Sequence, residues 1–297
     1  MYKILITGSS GFLGKIIIRN LNNFSLISLG RTPSDIMVDL SQDVPQLDTV
    51  SLVVHAAGKA HQVPNSAQQS QEFYDVNVKG TRNLIKGLEQ CKSLPKAFVF
   101  ISSVSVYGVE SGKLINETVP LLAKDPYGES KIQAENLIQQ WCSKHNVICT
   151  ILRLPLLAGP NPPGNLGSMI KGIKSGYYFN IAGGKAKKSV VLAEDVAKII
   201  PVVANIGGIY NLTDRYNPNF LELSELVARQ LGKSNPTNIP KWMADIMAKV
   251  GDLIGSKAPI DSKKLRKITS DLTFDDSKAV SAFGWNPTPV LNGFKIK

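Results

Sequence analysis

The chain has 297 residues, of which 43% are hydrophobic and 19% are charged, as in soluble globular proteins with room for two lobes. No apolar run reaches the roughly 18 residues that a bilayer-spanning helix needs, which excludes a membrane span. The first residues form a strand and a glycine turn, so we do not expect a signal peptide.

The cysteines and the distribution of charge argue against a disulfide-rich protein, a cysteine metal site and a nucleic-acid-binding protein. Cys91, Cys142 and Cys149 are too few and too scattered for a disulfide framework or a metal site, which favours a reduced, cytoplasmic protein. The net charge is +11, but basic residues cluster only at 185–188 and 263–267. Because no zinc finger, RNA-recognition motif or long basic helix is present, no nucleic acid is predicted as a partner. An acidic small substrate, such as a nucleotide diphosphate, explains these clusters as well as solvated surface charge does.

Strands and helices alternate through the first half, which predicts a doubly wound α/β fold with a parallel sheet. An apolar strand at 2–6 is followed by a helix at 15–21, and three glycines lie between them at intervals of three residues. In a dinucleotide-binding fold, the first such glycine allows a tight turn, the second lets the backbone approach the pyrophosphate, and the third lets the helix pack closely on the strand. The alternative is an ordinary glycine-rich turn. The helix N-terminus then faces the phosphates. The predicted cofactor-binding residues here are Gly8, Ser10, Gly11, Phe12 and Leu13.

The second strand, at 24–29, ends at Gly30-Arg31-Thr32. A fold that prefers NAD usually has an acidic residue here to bind the ribose hydroxyls. Arg31 can instead pair with a 2′-phosphate, which favours NADP(H) over NAD(H). An exposed loop arginine is the alternative. Asp39 and Leu40 are predicted to border the adenine, and a turn role is the alternative for Asp39.

The next strand, at 50–54, runs into small residues that would let a cofactor lie against the backbone. These predicted cofactor contacts are Ala56, Ala57 and Gly58. We interpret His55 as a hydrogen-bonded histidine at the strand end rather than as a catalytic residue. His61 falls in a loop that could border the site. In the helix at 72–89, Asn77 either braces the catalytic region or only packs helix on strand.

Hydroxyl groups gather after the apolar strand at 97–101, where open α/β sheets bind ligands. A helix that opens near residue 125 then carries Tyr127 and Lys131, four residues apart on one face. An ammonium beside a phenol lowers the phenol pKa from about 10, which makes an acid–base group usable at neutral pH. A serine hydroxyl nearby can bind the same substrate oxygen. A chance tyrosine–lysine pair is the alternative, but the combined motifs argue against it.

Together, residues 7–14, 102–108 and 127–131 resemble the extended short-chain dehydrogenase/reductases, and more closely their nucleotide-sugar epimerases, dehydratases and 4-keto-reductases. The resemblance extends over nearly the whole chain. It implies that Tyr127 is the acid–base group, and that Lys131 lowers its pKa and binds the cofactor ribose. Ser103 would be the third catalytic member.

On the substrate side, the resemblance implies that the Pro155 backbone lies beside the nicotinamide. Many epimerases of this group have asparagine at the position of Leu156, and this departure favours the branch that reduces UDP-4-keto-6-deoxy-N-acetylhexosamines. Lys188 stands in place of a phosphate-binding arginine, with a solvated turn as the equal alternative. The implied substrate-binding residues are Ser105, Asn165, Lys188 and Arg266, and no metal ligand is implied.

We therefore predict a Rossmann domain from residues 1–155 plus about 189–215, and a nucleotide-sugar lobe from about 156–188 plus 216–297. The expected activity is NAD(P)-dependent hydride transfer at carbon 4 of a nucleoside-diphosphate hexose, in the direction of 4-keto reduction for surface polysaccharide synthesis. The alternatives are a UDP-glucose or UDP-N-acetylglucosamine type of 4-epimerase and a non-catalytic NADP-binding module. A dehydratase is disfavoured because Val104-Ser105 stand where that subgroup has acidic residues. A homodimer through helices of the Rossmann domain is expected.

Overall fold

The computed structural model describes residues 2–60, 62–254 and 260–296, so His61 lies outside the described residues. The strands are β1 (Lys3–Thr7), β2 (Ser25–Gly30), β3 (Ile36–Met37), β4 (Leu52–His55), β5 (Ala97–Ser103), β6 (Gly112–Ile115), β7 (Ile148–Leu154), β8 (Leu156–Ala158), β9 (Asn180–Ile181), β10 (Val190–Leu192), β11 (Gly208–Asn211), β12 (Asn238–Ile239) and β13 (Leu272–Phe274). The helices are α1 (Phe12–Asn20), α2 (Ala67–Tyr74), α3 (Gly80–Glu89), α4 (Pro126–His145), α5 (Gly164–Lys174), α6 (Ala193–Val203), α7 (Phe220–Gln230), α8 (Lys241–Ile254), α9 (Ser262–Thr269), α10 (Ser277–Phe283) and α11 (Val290–Gly293).

Within these described ranges, seven parallel strands form the main sheet in the order β3-β2-β1-β4-β5-β7-β11. The predicted doubly wound α/β fold is confirmed. The chain winds outward from β1 in one direction, then returns to β4 and winds in the other. A crevice therefore opens at the carboxyl ends of β1 and β4, where such sheets bind ligands.

Successive side chains of the central strands pack into two cores, one on each face of the sheet. Ile4 and Ile6 of β1 pack toward α1 and α6, whereas Leu5 packs toward α3 and α4. This period of two explains why the strand is apolar along its whole length. Ala279 of α10 and Trp285 also lie in the first core, although both were assigned to the second lobe. The division into two lobes stays a prediction.

The second half of the chain adds short parallel pairs, β8 with β10, β9 with β12 and β6 with β13. The last two join segments more than fifty residues apart in sequence, so no local pattern predicts them. Helices α5, α7 and α11 pack together through Leu166, Leu223 and Val290. No helix in the described ranges is both long and apolar enough to cross a bilayer.

In the glycine turn after β1, two of the three predicted backbone roles can be checked, the tight turn at Gly8 and the close packing of α1 at Gly14. Gly8 has φ of +70°, a left-handed conformation that favours glycine, and an added Cβ would lie 2.6 Å from the Ala57 nitrogen. A Cβ on Gly14 would overlap the Gly8 carbonyl, so the third glycine does allow α1 to pack closely. At Gly11 the added atom would lie 3.1 Å from the Gly8 oxygen. The approach of Gly11 to a pyrophosphate stays a prediction.

Because of this difference, we expect Gly14→Ala to destabilise the fold far more than Gly11→Ala. The first change forces the turn and α1 apart, at a cost of about 1–3 kcal/mol for overpacking. The second needs a shift of only a few tenths of an ångström. Urea unfolding followed by circular dichroism measures both, and equal stabilities for the two variants would contradict this account of the turn.

His55 ends β4 as a buried, neutral side chain. Its Nδ1 lies 2.6 Å from the Thr7 hydroxyl, and its Nε2 lies 2.9 Å from the Thr81 hydroxyl. Because the Thr81 hydroxyl donates to the Asn77 carbonyl, it accepts from Nε2, and Nδ1 then accepts from Thr7. Burial lowers the pKa of His55 to about 3, and the charge of Lys131 adds to the effect. The interpretation of His55 as a hydrogen-bonded strand-end histidine is confirmed.

His55 should therefore make the stability depend on pH. Its folded pKa lies below the ordinary value of about 6.5, so its contribution is complete above that pH and is lost as the pH falls toward about 3. Between pH 7 and pH 5 the free energy of unfolding should drop by roughly 2 kcal/mol from this group alone. Urea titrations of the wild type and His55→Asn test this, because the variant should lack that part of the slope. Parallel pH profiles would contradict it.

Candidate active site

A cavity of about 690 Å³ opens at the carboxyl ends of the central strands, in the crevice between β1 and β4. It brings together motifs that lie more than one hundred residues apart in sequence. The predicted site residues that line it are Gly8, Gly11, Phe12, Leu13, Ala56, Ala57, Gly58, Ser103, Ser105, Tyr127, Lys131, Pro155, Asn165 and Lys188.

Tyr127 lies at the start of α4 and lines the cavity together with Ser103, whose hydroxyl acts on the pKa of the phenol. Asp125 caps the helix by accepting from the Gly128 nitrogen at 3.0 Å. An added Cβ on Gly128 would lie 2.8 Å from the Ser105 carbonyl, so this glycine lets α4 approach the serine-rich turn after β5. The sequence Tyr127-Gly128 therefore places the phenol against the serine hydroxyl.

Burial raises the pKa of Tyr127, and the hydrogen bond from the Ser103 hydroxyl only partly offsets it. The charge of Asp125 raises it further. The predicted lowering of this pKa by Lys131 is therefore wrong in this structure. The physical reason is that a phenol withdrawn from water favours its neutral form. At neutral pH, Tyr127 is a proton donor.

Lys131 lies one turn further along α4, with its ammonium buried. Its Nζ donates to the Ile101 carbonyl at 2.6 Å and lies 4.0 Å from the centre of the Phe100 ring. Burial lowers the pKa of Lys131 to about 7, although the charge of Glu135 raises it in part. In the described structure Nζ bonds one carbonyl, so its other N–H groups can reach hydroxyls in the cavity.

A buried ion pair lies beneath these residues and was not predicted. Glu135, one turn after Lys131, accepts from Arg153 Nη2 at 2.7 Å and Nε at 3.1 Å, and also from the Ser102 hydroxyl. Arg153 donates in turn to the Tyr107 hydroxyl at 3.1 Å. The pair joins α4 to β7 and to the end of β5. The sequence signal is a charged residue, Arg153, inside the apolar run of β7.

Asn77 lies in a π-helical turn, Asp75–Lys79, that interrupts the single helix expected at 72–89. Its Oδ1 accepts from the Lys59 nitrogen at 2.7 Å, and its Nδ2 donates to the Lys59 carbonyl and to the Ser130 hydroxyl. Asn77 therefore ties the loop after β4 to α4, which fits the bracing role. Lys59 also lines the cavity and was missed by the sequence analysis.

At the far end of the cavity, Lys188 holds the last turn of α9. Its Nζ donates to the carbonyls of Lys267 and Ser270, at 2.8 Å and 2.9 Å, and burial lowers its pKa. A freely solvated turn is therefore wrong for Lys188. On α9, Lys267 rather than Arg266 lines the cavity. Arg266 lies one position earlier, which is about 100° around a helix, and its predicted substrate-binding role stays a prediction.

The predicted adenosine-binding residues Ser10, Arg31, Asp39 and Leu40 lie outside the lining of this cavity, and their cofactor roles stay predictions. Asp39 accepts from the nitrogen and hydroxyl of Ser41, and it lies 3.9 Å from Arg31. This is the turn role that was the alternative for Asp39. Leu40 is buried, and its carbonyl accepts from Asn83.

Asp35, the first acidic residue after β2 in the sequence, already accepts two hydrogen bonds from the protein. Asp35 accepts from the Ser28 nitrogen at 2.8 Å and from the Ser28 hydroxyl at 2.7 Å. Beside the strand end, the hydroxyls of Ser34 and Ser9 lie 3.4 Å apart. A Cβ on Gly30 would lie 3.2 Å from the Ser34 hydroxyl. The hydroxyls of Ser9 and Ser34 therefore lie beside the end of β2, and Arg31 follows it with the Asp39 carboxylate 3.9 Å from its guanidinium.

The sequence model for the NAD dependent epimerase/dehydratase family matches residues 4–212 of the chain. The chain belongs to this family. The matched range contains the glycine turn, the Ser103 turn, Tyr127, Lys131 and Lys188. Members of the NAD dependent epimerase/dehydratase family use a nicotinamide cofactor, so the chain is a nicotinamide-dependent enzyme of this group.

The curated relatives of this epimerase/dehydratase chain include two 4-epimerases. An N-acetyl-alpha-D-glucosaminyl-diphospho-ditrans,octacis-undecaprenol 4-epimerase of Escherichia coli O157:H7 is 27% identical over 94% of the chain and 89% of its own length. A UDP-glucose 4-epimerase of Vibrio cholerae is 27% identical over 98% of the chain and 93% of its own length. Among solved structures, MoeE5 in complex with UDP-glucose and NAD shares the fold, with a TM-score of 0.76. The two chains are 20% identical over 98% of this chain and 95% of the MoeE5 chain.

Among the residues of 2–60, 62–254 and 260–296, no group of three or more histidine, cysteine, aspartate or glutamate side chains could hold a metal ion. The three cysteines are free thiols.

Proposed function

We propose that the chain is an NADP(H)-dependent oxidoreductase that transfers hydride at carbon 4 of a nucleoside-diphosphate hexose. The favoured reaction is reduction of a UDP-4-keto-6-deoxy-N-acetylhexosamine. The observation that carries the proposal is that Ser103, Tyr127 and Lys131 line one cavity together with the glycine turn. Two hydroxyls that meet at one point can bind one substrate oxygen.

The residues present fit a nicotinamide dinucleotide. Gly8 and Gly11 leave the backbone of the turn open to the cavity, and the α1 N-terminus carries the partial positive charge that favours phosphate. Lys131 places buried N–H donors within the cavity for ribose hydroxyls. When bound, the cofactor supplies a hydride to a carbonyl carbon. Pro155 and Leu154 form the wall on the β7 side.

In this proposal, Tyr127 donates its proton to the oxygen on sugar carbon 4 as that oxygen gains negative charge. Ser103 holds the same oxygen by a hydrogen bond. Because burial raises the pKa of Tyr127, the residue is protonated at neutral pH and suits reduction, whereas oxidation of a hydroxyl first needs its phenolate.

Two features support NADP(H) over NAD(H). Arg31 follows β2, and the nearest carboxylate, Asp35, is held by Ser28 instead of facing the strand end. The hydroxyls of Ser9 and Ser34 meet beside Gly30 and can donate to a 2′-phosphate.

On the substrate side, Asn165 and Lys188 line the same cavity beyond the nicotinamide end. Lysine offers point charge to a diphosphate but not the bidentate geometry of arginine. A 4-epimerase is the second candidate, because the Escherichia coli and Vibrio cholerae relatives described above are both 4-epimerases. The name of the Escherichia coli relative gives a lipid diphosphate sugar, and that substrate shares the diphosphate with nucleotide sugars.

The experiment incubates the full chain with NADPH or NADH and a panel of UDP-4-keto sugars, UDP-hexoses and lipid diphosphate sugars. Absorbance at 340 nm reports cofactor oxidation, and NMR reports the configuration at carbon 4. Stoichiometric NADPH loss supports the reductase, and interconversion of sugars without net cofactor change supports the epimerase. Cofactor binding without turnover of any sugar would contradict both. The cytoplasmic location and the homodimer stay predictions, the second tested by sedimentation equilibrium.

A further inference from the structure

One helix of the second lobe, α8, exposes an unusually large apolar surface. Its exposed apolar side chains are Trp242, Met243, Ile246, Met247, Val250, Leu253 and Ile254, half of the helix. Leu253 is 89% exposed and Trp242 is 64% exposed. Single exposed apolar residues are common, but a contiguous set marks an interaction surface.

The spacing shows that this surface is one face of the helix. At 100° per residue, the seven side chains fall within an arc of about 140°. The neighbouring arc of about 60° carries three small residues, Ala244, Ala248 and Gly251, and these are buried. Ala244 and Ala248 pack against Leu265 of α9. The helix therefore docks on its own lobe through small residues and turns its large apolar residues outward.

The apolar face of α8 begins with an aromatic residue, Trp242. Tryptophan is an amphipathic residue type that lies at the interface between lipid and water.

The charge next to this face is positive. Residues 241–269 contain seven basic and three acidic residues. Each acidic group has a partner, since Asp245 pairs with Lys241 at 3.0 Å, Asp252 accepts from Ser262, and Asp261 caps α9 by accepting from the Lys264 nitrogen. Glu110 also pairs with Lys263 and Lys267, at 3.5 Å and 3.2 Å. Counted with Glu110, the segment still has three more basic than acidic residues, and this excess is complementary to an anionic surface.

We propose that α8 docks the protein on an anionic phospholipid bilayer, with its apolar face buried at the level of the headgroups. An interfacial helix of this kind combines large apolar side chains on one face with nearby lysine and arginine. A second copy of the chain fits less well, because two α8 faces in contact would also bring together the two copies of Lys249, an exposed lysine at the edge of the apolar arc. The proposal needs no membrane-spanning helix.

The docking helix lies close to the cavity. Lys267 and Ile268 of α9 line the cavity, and Leu265 of the same helix packs under α8. A bilayer against α8 therefore lies one helix away from the end of the cavity that holds Lys188. The site could then exchange substrate or product with enzymes at the membrane surface.

The test uses the full chain with vesicles of phosphatidylcholine alone or mixed with phosphatidylglycerol. We expect at least tenfold tighter binding to the anionic vesicles, and we expect added salt to weaken it. The double variant Val250→Asp/Leu253→Asp should lose at least tenfold in affinity. The control is Leu122→Asp, which changes an exposed leucine that lies more than one hundred residues before α8 in the sequence. It should bind the vesicles like the wild type.

Tryptophan fluorescence gives a second readout in the same samples. Trp141 and Trp285 are buried, so a blue shift on vesicle binding reports Trp242. Circular dichroism shows that each variant is folded, independently of any enzymatic activity. Failure to bind anionic vesicles, or equal binding by the double variant, would overturn the proposal. A dimer that the double variant abolishes, without vesicle binding, would also overturn it and would identify a second copy as the occupant.

Discussion

Tyr127→Phe is expected to lower kcat about 10³-fold, because it removes the only proton of this side chain that can reach a substrate oxygen. The ring keeps its contact with Phe73, whose centre lies 6.1 Å away, so the fold should be retained. Stopped-flow measurement of NADPH oxidation with the best keto sugar gives kcat, and quenching of protein fluorescence gives the NADPH affinity. The affinity should change little.

Tyr74→Phe is the matched control for this variant. Tyr74 also packs against α4 and loses one hydrogen bond, which its hydroxyl donates to Glu129 at 2.8 Å, but it does not line the cavity. We expect kcat close to that of the wild type. Equal kcat values for Tyr127→Phe and the wild type would contradict the assignment of Tyr127 as the proton donor.

Removing one partner of the buried Glu135–Arg153 pair is expected to cost about 3–5 kcal/mol of folding free energy. The side chains of Glu135 and Arg153 are 0% and 3% exposed, so either one would be left as an uncompensated buried charge. Glu135→Leu and Arg153→Leu should each lower the urea midpoint strongly. The double variant should be more stable than either single variant, because it leaves no unpaired charge.

The same pair should influence the site above it. The charge of Glu135 raises the pKa of Lys131, so Glu135→Gln should move that pKa below about 7. At neutral pH less of the lysine would then be protonated, and the pH profile of kcat should shift in the same direction. If Glu135→Leu or Arg153→Leu has a free energy of unfolding within about 1 kcal/mol of the wild type, the proposed cost of an unpaired buried charge is contradicted. If the pH profile of kcat for Glu135→Gln is unshifted, the influence of Glu135 on Lys131 is contradicted.

The main sheet and its ligand-binding edge were predictable because their signals are local. Apolar β-branched runs, helical spacing and the Gly8–Gly14 turn each depend on a few neighbouring residues. The order of the strands follows from right-handed crossovers. The position of Tyr127 beside Ser103 was predictable only through the resemblance, since these residues meet in space at the carboxyl edge of the sheet.

The parts that were missed depend on burial and on distant contacts. The raised pKa of Tyr127 depends on how far the site is closed to water, which a sequence does not record. Arg266 and Lys267 differ by one position on α9, so only the packing of Leu265 decides which one lines the cavity. The amphipathic pattern of α8 predicts a helix, but it cannot say that the apolar face points outward.

Transfer of label from the cofactor to the sugar tests the central claim most directly. The full chain is mixed with NADPH deuterated at carbon 4 of the nicotinamide and with a UDP-4-keto sugar, and the product of one turnover is analysed by NMR and mass spectrometry. We predict one deuterium on sugar carbon 4, and none when Tyr127→Phe replaces the wild type over the same time. A converted sugar with no deuterium at carbon 4 would contradict the proposed hydride transfer.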